Sequence, residues 1–479
     1  MKFKSEPMAH QLRGLKRARP NNAFGFLWAM GAGKTFSIIN LISARWERGQ
    51  IDAALIVCPT PIKSVWDKEF TKWCPTPVDL FVLESGGNKA CQRWMEANSR
   101  ERGVSVLVVG IEALSQGTAA ATADAFVTRH RGAVLMAIDE SSRIKNPSTA
   151  RTKTCIKIGH KCQYRAIASG TSVTQGIHDL YSQMQFLDPK ILNCKSYFLF
   201  KNRYCVMGGF ENRKIIGYQF EDDLMMKIGP YVDVVTKEEA LPDLPPKTYQ
   251  EVEVALTAKQ MVALTDLKEK WEAEQGGKII TVEMVLERMT RYQQVIGGHF
   301  PFDDEETGRS GIERIEGGSP KLDAMIDIIS DLDPDVKVII WARFRPEIEL
   351  IASSLRELYG EDSVREFHGG ITAAGRSRFT DEFESDGGPR FMVANQVVGG
   401  MGQTWVKATV VMYYSNSFSY EDRVQSEDRA HRKGQTRHVH YWDFIAKHPA
   451  DQMIVKALAK KGDLAKYVES NLRDISRSL

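Results

Sequence analysis

The chain has 479 residues, more than one hydrophobic core usually organises, so we expect two or three domains. Hydrophobic residues make up 43% and charged residues 26%, which is typical of a folded globular protein, and the net charge of +3 neither requires nor excludes a nucleic-acid partner. No apolar run of about 18 residues occurs, so no membrane span is predicted, and the basic N-terminus lacks the apolar segment of a secretory signal. Seven cysteines without a C-x-x-C pair predict reduced thiols and an intracellular, cytoplasmic protein that is not secreted.

Two parts of the chain repeat the pattern of a parallel α/β sheet, in which a short apolar run is followed by a polar turn and an amphipathic stretch. The predicted strands of the first half are 24–28, 53–58, 104–109, 133–138 and 164–168. Those of the second half are 338–341, 364–367, 391–394, 410–413 and 438–444. Continuous apolar runs are typical of strands that are covered on both faces, so we predict two parallel α/β sheets in tandem.

The region between the two predicted sheets has a different composition. Residues 189–299 are rich in Lys, Glu, Met and Leu, with helical spacing at 259–274 and 282–295, and we interpret them as a helical extension of the first lobe. The glycines and acids of 300–318 predict a linker or exposed loop. The predicted domains are therefore 1–188, 189–299, 300–318 and 319–479.

A candidate phosphate-binding loop, MGAGKT, occupies 30–35 between a predicted strand and a predicted helix at 35–47. Glycine lets backbone N–H groups approach phosphates closely, a lysine neutralises the β- and γ-phosphates, and a hydroxyl binds Mg²⁺. Trp28 stands where the full pattern has glycine, and the alternative is a glycine turn that caps a helix. The strand–loop–helix context favours ATP binding by Gly31, Ala32, Gly33, Lys34 and Thr35.

An acidic pair follows the apolar strand that ends in LMAI at 135–138. The carboxyl end of a strand is where α/β sheets bind ligands. We predict that Asp139 holds Mg²⁺ and that Glu140 orients and deprotonates the attacking water. The alternative is a pair of helix-capping acids, but the upstream phosphate loop favours the catalytic interpretation.

A basic segment, QSEDRAHRKGQ at 425–435, places Arg429 and Arg432 three residues apart, on one face if the segment is helical. Two guanidinium groups could stabilise the charge on a γ-phosphate across a cleft. The alternative is a solvated basic helix face. A nucleotide site on another lobe favours the first interpretation.

Taken in order, these segments resemble the motifs of superfamily-two helicases, and above all the Swi/Snf-type (DEAD/DEAH-box-like) ATPases in their compact viral or bacterial form. HQLRG at 10–14 resembles the adenine-reading motif, which implies that Gln11 contacts adenine. Further resemblances in the first half are LIVCPTPIKSVW at 55–66, DESSRIKN at 139–146, SGT at 169–171 and LPDLPPKTYQEVEVAL at 241–256. For a viral protein the implied compartment is the host cytoplasm.

The second half continues the resemblance at 337–344, 367–383, 399–402 and 425–435, and GGMG at 399–402 implies that Gly402 contacts the nucleotide. Four positions depart from the family pattern and bear on coupling rather than on ATP binding. Ser142 replaces a histidine, Ser172 a proline, and Gln403 and Thr404 replace Asn-Leu.

The resemblance implies two tandem RecA-like lobes with a helical extension from the first, and ATP with Mg²⁺ between them. It implies a nucleic-acid-stimulated ATPase that moves along DNA, with duplex DNA the preferred track and RNA a further candidate. No membrane partner is predicted. The tentative nucleic-acid contacts are Lys63, Trp66, Arg343 and Arg345, for each of which a solvated surface position is the alternative.

Three other functions are alternatives. One is a strand-separating or strand-annealing helicase on DNA or RNA, and another is a nucleotide-gated clamp that binds DNA without moving. Glu140 and Arg432 argue against a clamp, which does not need hydrolytic groups. A nuclease would need a further carboxylate–lysine cluster, and the sequence shows none outside these motifs.

Overall fold

The chain divides after Pro242 into two units, Met1–Pro242 and Asp243–Leu479. The computed structural model describes residues 2–85, 88–97, 102–115, 117–170, 176–208, 214–275, 281–304, 309–400 and 402–460. Among these residues, no helix combines the length and the apolar character that crossing a membrane requires.

The first unit contains a seven-stranded parallel sheet with the strand order β3-β4-β2-β5-β6-β1-β9. Its strands are β1 (Ala23–Trp28), β2 (Ala53–Cys58), β3 (Val78–Val82), β4 (Val104–Gly110), β5 (Val134–Ile138), β6 (Tyr164–Ala168) and β9 (Val232–Val235). Strands β7 (Cys205–Gly208) and β8 (Lys214–Tyr218) form a separate antiparallel pair. Central strands β1, β2, β4 and β5 are buried along their whole length, as strands covered on both faces should be.

Helices connect the strands of the first unit and cover its sheet. They are α1 (Ala9–Ala18), α2 (Lys34–Glu47), α3 (Lys63–Trp73), α4 (Asn88–Ala97), α5 (Thr118–Arg129), α6 (Ala150–Gly159), α7 (Leu180–Leu187), α8 (Pro189–Leu192), α9 (Tyr197–Tyr204), α10 (Glu221–Ile228) and α11 (Lys237–Ala240). The core joins alternate residues of the strands, such as Leu55 and Met136, to helical residues such as Phe126 and Met184.

The second unit contains a six-stranded parallel sheet with the order β10-β17-β16-β13-β15-β14. Its strands are β10 (Lys247–Val254), β13 (Lys337–Trp341), β14 (Val364–Phe367), β15 (Phe391–Ala394), β16 (Ala408–Tyr413) and β17 (Val439–Ala446). The fold class is therefore confirmed: two parallel α/β sheets in tandem.

The helices of the second unit cover both faces of its sheet, with one core on each side. They are α12 (Ala258–Gln275), α13 (Val282–Ile296), α14 (Pro320–Ser330), α15 (Arg345–Tyr359), α16 (Ala373–Phe383), α17 (Gln396–Gly399), α18 (Tyr420–Glu427) and α19 (Pro449–Ala459).

The predicted helical extension of the first lobe, 189–299, is divided between the units. Its first part lies in the first unit, whereas β10, α12 and α13 lie in the second. The reason is physical contact: β10 pairs with β17, and the apolar faces of α12 and α13 pack on α19 through residues such as Leu264, Met289 and Ile454. Composition shows that a segment is helical but not which core its apolar face joins.

The predicted linker at 300–318 contains secondary structure. Strands β11 (His299–Asp304) and β12 (Arg309–Arg314) form an antiparallel pair, and 305–308 lie outside the described residues. The glycines and acids of this stretch predicted a loop. In the structure, consecutive residues of the two strands are paired in a regular antiparallel ladder, for example Phe302 with Gly311.

All ten predicted strands are present with ends that differ by at most a few residues. The sequence patterns missed β3, β9 and β10, which lie at edges of the two sheets. The side chains of β3 are only half-buried, β9 contains Asp233, and β10 is mostly polar and exposed. Edge strands lack the continuous apolar run by which central strands are recognised.

Candidate nucleotide site

The candidate phosphate loop lies at the carboxyl end of β1, the edge at which parallel sheets bind ligands. Gly31 and Gly33 have φ angles of 77° and 81°, in the left-handed region that residues with a Cβ rarely adopt. Helix α2 begins at Lys34 directly after this turn. Thr35 follows in its first turn, so backbone N–H groups and a hydroxyl lie where a phosphate can reach them.

The amine of Lys34 is held by carbonyl oxygens. Its Nζ donates to Trp28 O at 3.0 Å and to Ala29 O at 3.4 Å, and the side chain is buried. Carbonyl partners orient an ammonium group without neutralising its charge. These contacts place the Lys34 amine beside the phosphate loop, where the sequence-based role requires it.

Trp28 shows why glycine is not needed at the first position of the loop pattern. It is the last residue of β1, and its indole Nε1 donates to Asp233 Oδ2 at 2.8 Å. The buried ring packs edge-on against His10, and a Cβ on Gly14 would lie 2.4 Å from its Cζ2 atom. The strand continues through Trp28, and the turn begins only after it.

Helix α1 brings Gln11 against the phosphate loop. Gln11 Oε1 accepts from Met8 N at 2.9 Å, and its Nε2 donates to Ala32 O at 3.3 Å. A Cβ on Gly33 would lie 2.2 Å from that Nε2 atom, so only glycine fits there. The predicted adenine contact of Gln11 stays a prediction, but the structure places the residue at the loop.

His10 is a loop contact that the sequence interpretation missed. Its Nε2–H donates to Ala32 O at 2.8 Å, beside the bond from Gln11. The available signal was its position next to Gln11 in HQLRG, the segment that resembles the adenine-reading motif.

The acidic pair follows β5 and lies at the same edge of the sheet as the phosphate loop. The Asp139 N–H donates to Val57 O at 2.8 Å, and its Oδ1 accepts from the Glu140 N–H at 3.0 Å. Glu140 has a φ of 50°, a left-handed conformation that is costly for a side-chain-bearing residue and that clusters at functional sites. The backbone thus turns sharply between the two carboxylates.

Burial raises the pKa of Asp139, and the charge of Lys34, the Glu140 N–H and the Trp66 indole oppose that rise. Lys34 thus lies close enough to Asp139 for its charge to act on that carboxyl group. A divalent cation beside Asp139 would favour the ionised carboxylate. In the described part of the chain no group of three or more His, Cys, Asp or Glu side chains could hold a metal ion.

Two further segments border the loop. A Cβ on Gly170, just after β6, would lie 2.7 Å from Met30 Cγ and 3.4 Å from Lys34 Nζ, so the predicted coupling motif begins against the phosphate loop. Residues 171–175, including Thr171 and Ser172, lie outside the described residues. Ser142, which replaces the family's histidine, is buried, and its neighbour Ser141 donates to Gln183 Oε1 of α7 at 2.6 Å.

The arginine segment belongs to the second unit, and its geometry differs from the prediction of one shared helix face. Helix α18 ends at Glu427, so Arg429 and Arg432 lie in the turns that follow. Their guanidinium groups nevertheless converge: Arg429 Nη1 and Arg432 Nη1 both donate to Gln403 O, at 2.7 and 2.9 Å. Convergence comes from a shared acceptor and not from helical spacing.

Gln403, a departure from the family pattern, is thereby the anchor of this segment. It directly follows Gly402, whose φ is 74°, and its side-chain Oε1 accepts from Thr380 Oγ1 at 2.9 Å. The sequence interpretation assigned nucleotide contact to Gly402 but no role to the Gln403 carbonyl. A backbone acceptor leaves no signal in residue identity.

Two of the four tentative nucleic-acid contacts, Lys63 and Trp66, are buried within the first unit, and Arg343 of the second unit is partly buried. Lys63 Nζ donates to Leu83 O at 2.7 Å and pairs with Glu84, and Trp66 bonds Asp139. Arg343 donates to Gln293 Oε1 at 2.8 Å and stacks on Phe418.

Arg345 alone of the four is largely exposed, with 65% of its side chain accessible. The sequence-based assignment of Lys63 and Trp66 to a nucleic-acid surface is therefore corrected, because helix α3 turns both residues towards the sheet.

A pocket of about 430 Å³ lies at the carboxyl ends of β13 and β15 in the second unit. Its lining includes Arg343, Asn395, Gln396 and Phe418. Gln396 is buried, its Oε1 accepts from Ser417 N at 2.5 Å, and its Nε2 has no hydrogen-bond partner among the described residues. A buried amide without an acceptor is costly unless a ligand supplies one.

Comparison with known proteins agrees with this geometry. Residues 15–297 match the SNF2-related domain, and residues 320–434 match the helicase conserved C-terminal domain. A probable chromatin-remodeling complex ATPase chain of Oryza sativa subsp. japonica is 25% identical over 96% of this chain and 40% of its own length. An uncharacterized ATP-dependent helicase of Mycoplasma genitalium is 25% identical over 95% of this chain and 42% of its own.

The chain thus spans about two fifths of the length of these curated relatives. Among solved structures, the Sulfolobus solfataricus SWI2/SNF2 ATPase core in complex with dsDNA is 20% identical, with a TM-score of 0.42, and the match covers 100% of this chain and 97% of that one.

The two parallel sheets, the phosphate loop and the matched domains define a helicase-like ATPase of superfamily two. The chain belongs to the family of the SNF2-related domain, because that domain covers more than half of its residues. The predicted Swi/Snf-type resemblance is confirmed. The boundary of the matched domain at residue 297 lies beyond the division of the structure at Pro242, since sequence families and packed units need not share their limits.

Proposed function

We propose that this protein is a DNA translocase that hydrolyses ATP to move along duplex DNA. The observation that carries the proposal is the meeting of Lys34, Asp139 and Glu140 at one edge of the first sheet, where a phosphate loop is followed by an acidic pair. A protein that only clamps DNA has no use for a strained carboxylate beside a phosphate site.

Each residue has a defined part in hydrolysis. Lys34 binds the β- and γ-phosphates of ATP, and the N–H groups of the Gly31–Gly33 turn surround them. Mg²⁺, which Thr35 and Asp139 would hold, neutralises phosphate charge when bound. Glu140 orients the attacking water and accepts its proton, and the backbone strain at this residue aims the carboxylate. Gln11 contacts the adenine base, and Gly402 lies beside the nucleotide.

The second unit contributes the arginines. Arg429 and Arg432 converge on the Gln403 carbonyl, which orients both without cancelling their charge. When ATP is bound, the two guanidinium groups exchange this carbonyl for the γ-phosphate and stabilise the charge that develops during transfer.

The DNA track is proposed from chemistry that reads phosphates and not bases. The second-unit pocket is lined by Arg343 and by the polar residues Asn395 and Ser419, which offer donors to a backbone phosphate oxygen. Exposed Arg345 is a further candidate contact. Such contacts position a protein on a duplex without conveying sequence, and seven free cysteines accord with an intracellular site of action.

Two assays in one buffer test the proposal, with salt fixed because phosphate binding depends steeply on it. One follows ATP-dependent displacement of a third strand from a blunt duplex, and the other follows unwinding of forked duplexes. We expect triplex displacement without unwinding, and no displacement by the Glu140→Gln control. Efficient unwinding together with ATPase stimulated mainly by single strands would contradict duplex translocation.

A strand-separating helicase is the second candidate, and one observation favours it. Strand separation needs a wedge at the fork. Residues 300–318 were predicted to be a loop, but β11 and β12 pair there as a hairpin, which is the candidate wedge. The unwinding assay decides between the two functions. The test is a variant in which a short Gly-Ser linker replaces residues 301–312. If the hairpin is the wedge, this variant should lose unwinding. If the hairpin is not the wedge, the variant should keep triplex displacement.

A further inference from the structure

Strand β10 is held at the edge of the second sheet by its backbone. It pairs with β17 over eight consecutive positions, from Lys247 with Val439 to Val254 with Ala446. Most of its side chains are exposed. The strand begins shortly after the boundary between the units at Pro242. Burial of apolar side chains therefore contributes little to holding this strand, and its first residues make specific polar contacts instead.

Those contacts converge on Glu427, the last residue of α18. Lys247 Nζ donates to Glu427 Oε2 at 2.7 Å, and Tyr249 OH donates to the same oxygen at 2.8 Å. Arg423 Nε donates to the other oxygen, Oε1, at 2.8 Å. Burial opposes the ionisation of Glu427, but the charges of Lys247 and Arg423 prevail and lower its pKa to about 2.

A second contact joins the same two segments. The imidazole of His431 donates from Nε2 to Pro245 O at 2.6 Å. Glu427 lies two residues before Arg429, and His431 lies two residues after it. The segment that leads into β10 is thus hydrogen-bonded to the chain on both sides of Arg429. From β17, Tyr441 OH also donates to Glu427 O at 2.9 Å.

We propose that Lys247 is a positioning residue for the arginine segment: through Glu427 it fixes the backbone that carries Arg429, and so the placement of the Arg429 and Arg432 guanidinium groups during ATP hydrolysis. The inference rests on the proposed function, because hydrolysis gives these arginines a transition state to stabilise. It also makes the start of β10, the first strand after the unit boundary, part of the catalytic framework.

The variant Lys247→Met tests the claim, since methionine keeps the apolar stem and removes the charge. Small displacements of a catalytic group cost up to about 10²-fold in rate. We expect kcat for ATP hydrolysis to fall by about 10-fold to 10²-fold, with little change in KM, because the ATP-binding loop lies in the first unit. Lys247→Arg should restore much of the rate, since arginine also offers Glu427 a cation.

A matched control lies on the same pair of strands. Lys447 pairs with Glu253 at 3.6 Å near the other end of the β10–β17 ladder, and both side chains are more than half exposed. Lys447→Met makes the same chemical change away from Glu427 and should leave kcat unaltered. Equal losses in Lys447→Met and Lys247→Met would show a general effect of weakening the strand pair and would overturn the proposal.

A double variant separates positioning from mere stability. If Lys247 acts through Arg429 and Arg432, adding Lys247→Met to Arg429→Ala should lower kcat by less than Lys247→Met does in the wild-type protein, because the effects of residues that act as a unit are not additive. A further drop equal to that of Lys247→Met alone would contradict the proposal. Should Lys247→Met fail to fold in a thermal unfolding measurement, Glu427→Gln, which keeps an oxygen and removes the charge, repeats the test.

Binding measurements keep this inference distinct from the proposed function. If no nucleic acid stimulates the wild-type protein, the translocase proposal fails. Lys247→Met should still weaken binding of ADP with aluminium fluoride, which mimics the transition state, and should not weaken binding of ADP alone. Unchanged affinity for the aluminium fluoride complex, together with unchanged kcat, would overturn the positioning role.

Discussion

The basic residues of the phosphate loop in the first unit and of the arginine segment in the second have the same kind of hydrogen-bond acceptor. Basic residues near the arginine segment have a different kind. Lys34 and Arg432 donate to carbonyl oxygens, of Trp28 and Gln403. Lys247 and Arg423 instead face the carboxylates of Glu427 and Asp443. A cation on a carbonyl keeps its charge for a ligand, whereas a cation on a buried carboxylate is committed to the fold.

The two regions also differ in what holds them. Two glycines with positive φ set the turn of the phosphate loop, and His10 and Gln11 of helix α1 hold it through the Ala32 carbonyl. The arginine segment is held by the Gln403 carbonyl and by the start of β10. Changes at the start of β10 should therefore affect the arginine segment and leave the phosphate loop unaltered.

The largest effect is expected for Arg432→Ala. Arginines of this kind contribute about 10³-fold to 10⁵-fold to phosphoryl transfer in well-studied enzymes. ATP binding should remain and hydrolysis should fall by a factor in that range, measured as kcat with saturating DNA. Arg432→Lys should rescue poorly because lysine lacks the planar fork.

A control sharpens this result. Arg356 pairs with Glu366 at 2.9 Å, so it is a cation on a carboxylate in the same unit. Arg356→Ala should leave kcat unchanged. Full DNA-stimulated ATPase in Arg432→Ala would remove the arginine segment from the active site.

Glu140→Gln should give the next largest effect. Glutamine keeps the shape of the side chain but cannot accept the proton of the attacking water, and loss of a general base costs about 10²-fold or more. Single-turnover hydrolysis gives the rate, and a fluorescent ATP analogue should show that binding survives. Normal turnover would mean that another group activates the water.

Lys34→Ala should act on binding. Charge-assisted hydrogen bonds contribute about 1.5–3 kcal/mol, so affinity for ATP should fall by about 10-fold to 10²-fold. Lys161, which pairs with Asp124 in the same unit, supplies the control: Lys161→Ala should keep wild-type affinity. Equal affinities of both variants for the fluorescent analogue would refute the phosphate-binding role.

The smallest effect concerns a buried carboxylate of the second unit. Burial raises the pKa of Glu347 to about 7, although Ser415, the Phe344 N–H and the charges of Lys321 and Arg343 oppose the rise. The folded protein therefore holds a proton that the unfolded chain loses near pH 4.5. This contribution to stability is complete below that pH and is lost as the pH rises through about 7.

Urea unfolding at pH 5 and pH 8 measures the contribution, which we expect to be on the order of 1–2 kcal/mol. Glu347→Gln should remove this part of the pH dependence. A wild-type protein that gains stability over the same interval while Glu347→Gln shows the same gain would exclude Glu347 as its source. The contrast between Glu347, whose pKa is raised by burial, and Glu427, whose pKa is lowered by the charges of Lys247 and Arg423, would then need another explanation.

Features that depend on a local run of residues could be predicted from the sequence. Buried central strands, the phosphate loop and the acid pair are continuous runs of residues whose types carry the signal, and the structure has them where the patterns placed them. Contacts between distant residues carry no such signal. Trp28 with Asp233, Arg429 with Gln403 and Lys247 with Glu427 each join positions that nothing in either local pattern connects.

The errors have the same origin. Lys63 and Trp66 matched family segments near a nucleic-acid track, but the sequence does not show which way a side chain points, and both side chains are buried against the first sheet. Helices α12 and α13 lie where helical spacing predicted them, but their apolar faces pack on α19 of the second unit, because membership in a core depends on tertiary packing. Arg429 and Arg432 were expected on one helix face and converge instead after the helix has ended.

The rate of ATP hydrolysis with no nucleic acid, single-stranded DNA, duplex DNA or RNA, at one salt concentration, tests the central claim most directly. The account predicts a low basal rate, the strongest stimulation by duplex DNA, and no stimulation in Glu140→Gln or Arg432→Ala. Hydrolysis that is indifferent to all three polymers, or that is stimulated by RNA alone, would contradict it.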